Sequence, residues 1–261
     1  MRQVWAICIG MAGGIISGLL GIGGSFLVVP LLVGILGIDR RCAHGTALST
    51  AFFSSLAAGG SYLQAGYANW NIVAIVLMGS VLGSVPGTWA MSKVGSRLLN
   101  LLFIFFLAAT ALEIGLGYSH TWTIGNKWLL IPVELGLGIA AGFFSGFFGI
   151  GGGAVVVPGL VMFFAVSQKM AQGISLLVII PTALVGTIVH YRTHNLAIKT
   201  LPYLGMGAML GGVMGSILAR CTPELWLRCL FIGALGLVVV SSILQDLAEK
   251  RAAPNTIPKS G

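Results

Sequence analysis

The sequence predicts an all-α polytopic membrane protein built from two homologous, inverted repeats, each a glycine-broken helical hairpin plus three transmembrane helices. Three observations predict it: an apolar composition, a duplicated motif and an uneven spread of basic residues. Of the 261 residues, 57% are apolar, and only 14 basic and 6 acidic residues carry charge, whereas a soluble domain has roughly a quarter charged residues. The apolar runs last about 20 residues or more, the length that crosses a hydrocarbon core. A barrel would instead alternate apolar and polar residues in strands of about ten.

The duplication organises the chain. The run GGIISGLLGIGGSFLVVPLL from Gly13 to Leu32 returns as AGFFSGFFGIGGGAVVVPGL from Ala141 to Leu160, 128 residues later, with 11 of 20 positions identical. Without a gap, the same offset maps Ala43, Gly45 and Leu48 onto Ala171, Gly173 and Leu176. It also maps Gly79, Gly83 and Gly87 onto Gly207, Gly211 and Gly215. The expected organisation is an N-terminal repeat over 1–120, a C-terminal repeat over 121–246 and a cytoplasmic tail over 247–261. The Met1-Arg2-Gln3 start resembles a signal peptide but lacks a small-residue cleavage site, so it reads as a retained membrane segment.

Each half contains four apolar blocks: 4–38, 43–65, 70–92 and 98–118, then 128–166, 170–191, 197–219 and 225–245. The last three of each set fit single spanning helices. The first is too long for one, since about 33 helical residues reach about 50 Å against a core of about 30 Å. Its middle is interrupted by Gly21-Ile22-Gly23-Gly24 and Pro30, or by Gly149 to Gly153 and Pro158, residues that disfavour an unbroken helix. The block is therefore either one broken crossing or a hairpin that returns to its starting side.

The basic residues discriminate. A single crossing divides Lys and Arg evenly between the two sides. A hairpin puts Arg2, Arg40, Arg41, Lys93, Arg97, Arg192, Lys199, Lys250, Arg251 and Lys259 inside, and only Lys127, Lys169, Arg220 and Arg228 outside. The positive-inside rule favours the hairpin, with both termini cytoplasmic and a net of three crossings per half. An odd number inverts the second half, an architecture of secondary transporters whose substrate sits near the midplane.

The candidate site follows from the helix breaks. Glycines that interrupt a helix at membrane depth free backbone N–H and C=O groups, so the break must face protein or a water-filled cavity. A helix restarting after Gly24, at Ser25 or as late as Pro30, aims its N-terminal amides at the centre, and the inverted copy does so from Gly152 and Gly153. Gly21, Gly23, Gly149 and Gly151 complete the two breaks; the bland alternative is close helix packing through glycine, which is the expected role of Gly79, Gly83 and Gly87. The next block begins Ala43-His44-Gly45-Thr46-Ala47-Leu48-Ser49 in one half and Ala171-Gln172-Gly173-Ile174-Ser175-Leu176 in the other. Thr46, Ser49 and Ser175 can donate to an anion or bond their own i−4 carbonyls. His44 and Gln172 occupy equivalent positions, and only the histidine titrates near neutrality. Glu113 and Glu134 are the acidic residues inside apolar blocks, candidates for proton coupling or for interfacial ion pairs. The basic residues form no stripe, so a nucleic acid partner is not expected. No metal-ligand spacing, nucleotide loop or nucleophile and base pair occurs, and neither enzymatic activity nor a cofactor is expected. The four cysteines, Cys8, Cys42, Cys221 and Cys229, are not spaced for metal.

The doubled GxxGIGGxxxxVPxL followed by AxGxxLS resembles the TauE/SafE family of sulfite exporters, also called the four-toluene-sulfonate uptake permeases. The motif falls on Gly21, Gly23, Gly24, Pro30, Gly45, Thr46 and Leu48, and again on Gly149, Gly151, Gly152, Gly153, Pro158, Gly173, Ser175 and Leu176. The resemblance implies a bacterial inner-membrane permease that moves sulfite or organosulfonate anions such as sulfoacetate without ATP, with a proton or another ion as possible coupling partner. The family often reads Gly-Thr-Ser where this chain has Gly45-Thr46-Ala47 and Gly173-Ile174-Ser175, so each copy lacks one hydroxyl. Carriage or passive conduction of another small anion, or a non-transport intramembrane assembly subunit, are the other readings.

The hairpin makes a direct prediction. A cysteine introduced at Asp39 is labelled by an impermeant maleimide from the cytoplasmic side only. Labelling from the opposite side would return the first block to a single crossing.

Overall fold

The structure is a computed structural model, and it describes residues 2–93, 127–148, 152–164, 166–234 and 236. Eight helices are delimited, α1 Arg2–Leu20, α2 Ser25–Leu36, α3 Arg40–Gln64, α4 Trp70–Lys93, α5 Lys127–Phe148, α6 Gly153–Phe164, α7 Gln168–Arg192 and α8 Leu201–Cys221, and residues 224–234 are also helical. No strand occurs among the described residues. The block 98–118 lies outside them, as do Glu113, Gly149 and Gly151. Four helices, α1, α4, α7 and α8, are long and apolar enough to cross a membrane. The 25-residue α3 carries buried Thr46, Ser49, Thr50, Ser54 and Ser55, and packs against α1, α2, α7 and α8. Polar side chains inside the bundle, rather than toward lipid, explain its lower hydropathy. On α8 the lipid-compatible face is exposed: Met206, Leu210, Met214 and Leu218.

The first block is a hairpin. Gly13 lies against Val28, Gly24 lies against the Gly13 carbonyl, and Arg2 Nη2 donates to the Leu36 carbonyl at 2.9 Å. The chain thus comes back to its starting end. The helix restarts at Ser25, not Pro30, which lies inside α2; Pro158 lies inside α6 in the same way. Proline within the helix is tolerated because it removes one N–H without exposing backbone to lipid when neighbouring helices cover the gap.

The halves hold each other by exchange of helices. A methyl group on Gly10, Gly14 or Gly18 of α1 would strike the carbonyls of Leu204, Ala208 or Gly212 on α8, and one on Gly207, Gly211 or Gly215 would strike those of Ile7, Met11 or Ile15. The offset of 128 carries this pattern onto α5 and α4. Gly79, Gly83 and Gly87 meet the carbonyls of Leu135, Ile139 and Phe143, while Gly138 and Gly142 meet those of Val76 and Ser80. Backbone approach this close is what small residues at four-residue spacing permit.

Contact order also gives helix directions. Numbers rise together along α1 and α8, and along α4 and α5, so both pairs run parallel. Between α3 and α7 they run oppositely: Gly45 meets His190, Leu48 meets Gly186, and Tyr62 meets Gly173. The two helices α3 and α7, which the repeat makes equivalent, therefore point in opposite directions. One end of the bundle carries Arg2, Leu36, Gly45 and His190; the other carries Tyr62, Gln168 and Arg220.

A contrast within the helix pair α4 and α5 tests the glycine contacts. Gly83→Val overpacks the Ile139 backbone and costs roughly 3 kcal/mol, seen as a lower melting temperature in detergent and reduced monodisperse yield. Gly136→Val, with nothing within 4 Å of its added Cβ, leaves both unchanged.

Candidate functional site

Three of the four residues between α1 and α2 have left-handed backbone: Gly21 at φ 72°, Gly23 at φ 85° and Gly24 at φ 66°. Gly152, equivalent to Gly24, has φ 75°. Side chains with a Cβ rarely adopt these angles, so glycine is a structural requirement here. Each break starts its next helix alike. The Gly24 carbonyl accepts from the N–H groups of Leu27 and Val28, as the Gly152 carbonyl does from Val155 and Val156. Gly24, which precedes α2, makes no side-chain cap bond, and Ser25 is buried.

The two breaks meet. A Cβ on Gly153 would lie 2.8 Å from Ile22 Cα and 2.9 Å from Ser175 Oγ, and would strike the Gly21 carbonyl. Ser175 Oγ donates to that carbonyl at 2.8 Å, which supplies a partner for a backbone oxygen that the helix break leaves without one. Gly21 also packs on Gln172, whose Cα would stand 2.8 Å from an added Cβ. Gln172 Oε1 accepts from the Tyr62 hydroxyl at 2.9 Å, and the same hydroxyl lies 3.0 Å from the Gly18 carbonyl. Tyr62 and Gln172 are fully buried. The Gln172 Nε2 donor is buried without a partner.

The structure therefore brings together Gly21, Gly153, Gln172 and Ser175, with Gly173 sealed against the Tyr67 carbonyl. Other sequence-derived candidates behave differently. Thr46 Oγ1 donates to the Cys42 carbonyl at 2.6 Å and accepts from the Ala197 N–H at 3.0 Å. Ser49 Oγ donates to the Gly45 carbonyl at 3.0 Å. Both hydroxyl protons are taken by the helix itself. Gly45 sits against the Asn195 carbonyl and 2.9 Å, from an added Cβ, from His190 Cγ. Asn195 and His190 are the repeat equivalents of Tyr67 and Tyr62, so the surroundings of Gly45 and Gly173 correspond residue for residue. Yet His44 is exposed where its equivalent Gln172 is buried. Glu134 is 7% exposed, within α5, and no group of three or more His, Cys, Asp or Glu able to hold a metal occurs among the described residues.

Sequence reasoning did not find Tyr62 or the Ser17 and Ser54 pair, whose hydroxyls lie 3.0 Å apart between α1 and α3. The one available signal was the repeat, which aligns Tyr62 with His190 beside the already noted Gly45.

Comparison with known proteins gives a consistent result. The family model described as Sulfite exporter TauE/SafE matches residues 1–114 and 135–260. The chain is 31% identical over 196 residues to the "Probable membrane transporter protein MJ0441" of Methanocaldococcus jannaschii, covering 72% of each chain. It is 31% identical over 219 residues to the "Probable membrane transporter protein YdhB" of Bacillus subtilis, covering 82% of this chain and 89% of that one. To "Probable membrane transporter protein YunE" of the same organism it is 25% identical over 244 residues, 84% of this chain and 89% of the relative. No solved structure matches.

The Tyr62 and Gln172 pair supports a stability cycle. Tyr62→Phe strands the buried amide and costs about 1–3 kcal/mol, whereas replacing both partners by apolar groups is nearly neutral. Thermal unfolding of Tyr62→Phe should therefore fall below that of the Tyr62→Phe, Gln172→Leu double variant.

Proposed function

The chain belongs to the sulfite exporter TauE/SafE family, and from that premise we propose that it is a secondary transporter of small sulfur-containing anions such as sulfite or organosulfonates. The anion is held between the two glycine-broken helix starts. The observation that carries this reading is the meeting of those breaks at buried Gly21 and Gly153, with the start of a helix after Gly24 and the unpartnered amide donor of Gln172 beside them. Helix N-termini bring partial positive charge and aligned N–H donors without the desolvation cost of a buried lysine or arginine. Release remains easy because no full opposite charge has to be abandoned.

Opposed directions of α3 and α7, and the return of α2 to the Arg2 end, support an inverted-repeat carrier with both termini in the cytoplasm. The family points to the bacterial inner membrane as its location. Substrate moves when the Arg2 end and the Tyr62 end open in alternation. At the Tyr62 end the Tyr62 and Gln172 hydrogen bond closes the bundle; at the Arg2 end the equivalent His44 is exposed. A protonated His44 attracts an incoming anion and is itself stabilised by it, which couples proton uptake to substrate. Glu134 is a second candidate for a coupling proton.

Purified protein in liposomes should take up labelled sulfite and show counterflow driven by sulfite inside, an outcome a passive channel or a structural subunit does not give. Gly23→Val inserts but reduces flux at least about tenfold, because its φ of 85° is strained for a branched side chain. His44→Gln still transports and loses the pH dependence of apparent affinity between about pH 5.5 and 7.5, the window in which histidine changes charge. An unchanged pH profile would move the coupling to Glu134 or Glu113.

A further inference from the structure

Three of the four basic residues that depart from the positive-inside pattern lie at one end of the bundle. Lys169, Arg220 and Arg228 all lie at the Tyr62 end. Lys169 Nζ donates to the Arg220 carbonyl at 2.7 Å, and Arg220 Nη2 donates to Ser61 Oγ at 3.0 Å. The backbone N–H of Gln168 donates to Glu224 Oε1 at 3.2 Å. Arg228 follows Glu224 by one helical turn, and the adjacent Leu227 packs with Tyr62.

Stability does not account for this cluster. Lys169 is the second residue of α7, where a positive charge opposes the helix dipole. Gln168 is fully buried, and neither its amide nitrogen nor its amide oxygen has a partner. The Nε donors of Arg220 and Arg228 are likewise buried and unpartnered. Each such group costs about 1–3 kcal/mol when left unsatisfied. Among the described residues this end holds three cations, Lys169, Arg220 and Arg228, and the carboxylate of Glu224, alongside the unpartnered donors of Gln168, Arg220 and Arg228.

We propose that Gln168, Lys169, Arg220 and Arg228 form a second anion site, a recruiting site for a small oxyanion on the outer approach to Tyr62 and Gln172. The inference rests on the transporter reading for its role, though not for the binding itself. Guanidinium donors suit a multi-oxygen anion because they engage two oxygens at once. Glu224, already on the first N–H of α7, shows that this position accepts carboxylate oxygen, and its negative charge keeps the site weak enough to release. The repeat puts Arg40 and Arg41 at the corresponding start of α3, so each end of the bundle has charged or amide side chains at the same helix position.

The test uses full-length protein. Calorimetric titration with sodium sulfite and sodium sulfate at fixed ionic strength gives binding, with sodium chloride as the simple-ion control. Uptake from the Tyr62 side gives KM and kcat for sulfite. Arg228→Gln should raise both Kd and KM about tenfold with kcat unchanged, and Arg228→Lys should recover part of the loss. Arg192→Gln, at the Arg2 end, should leave KM from the Tyr62 side unaltered. Gln168→Leu is the second variant, weakening oxyanion binding without changing net charge. Folded Arg228→Gln and Gln168→Leu proteins with wild-type Kd and KM would overturn the site, as would chloride competing as well as sulfate. Sulfite flux with Arg228-independent binding removes the recruiting site and keeps the transporter. Arg228-dependent binding without flux does the reverse.

Discussion

A peptide group in the interior of a membrane protein has to find its hydrogen-bond partner within the protein, and the rest of this structure depends on how two interrupted helices meet that demand. Each interruption frees several N–H and C=O groups where lipid offers nothing. Turning the breaks inward lets the halves serve each other: Ser175 of the second half donates to Gly21 of the first. The left-handed glycines compress the reversal into four residues, so that α2 can begin beside Gly13 and Ser17 of the helix it has just left. The polar groups that a break frees are thus paired across the repeat rather than within one half.

Repetition makes this arrangement nearly symmetrical, and the departures carry the functional interest. Ser175 has no hydroxyl counterpart, since its equivalent is Ala47. The phenol of Tyr62 is replaced by the imidazole of His190, and the amide of Gln172 by the imidazole of His44. One end is thus held by a neutral, buried hydrogen bond, while the other carries imidazoles at both equivalent positions. Two unlike ends can respond differently to the solutions on the two sides of a membrane, which two identical ends cannot.

Much of the fold was legible because the repeat is free of insertions. The offset of 128 reproduces the boundaries of two helix pairs to the residue, with Ser25–Leu36 becoming Gly153–Phe164 and Arg40–Gln64 becoming Gln168–Arg192, and those of the other two pairs to within three residues. Length, the glycine break and the charge split favoured the hairpin but left a single broken crossing open, which the contacts between α1 and α2 decide. Less legible was the partner of each element. Glycine spacing announced a packing ridge on α4, but nothing in the sequence says that it meets α5 of the other half, since that is a long-range contact. The hydroxyls of Thr46 and Ser49 carried the two readings that local chemistry allows, and the helix carbonyls took them. Gln168 stood outside the motif, and its burial depends on Glu224 and its neighbours, which come together only in the folded bundle.

The exchange of parallel helices between halves has a consequence for biogenesis. Gly10 is made long before Leu204, the residue it packs against, and at about 5–20 residues per second the ribosome takes on the order of 10 to 40 s to bridge that interval. During that time α1 sits in the bilayer with its glycine ridge uncovered, as does α4 for a shorter wait. Among the described residues, the glycine faces of α1 and α4 are covered by helices of the other half. Quality control that removes unpaired small-residue ridges would therefore act on truncated chains, and co-expression of the two halves as separate polypeptides should rescue each from degradation.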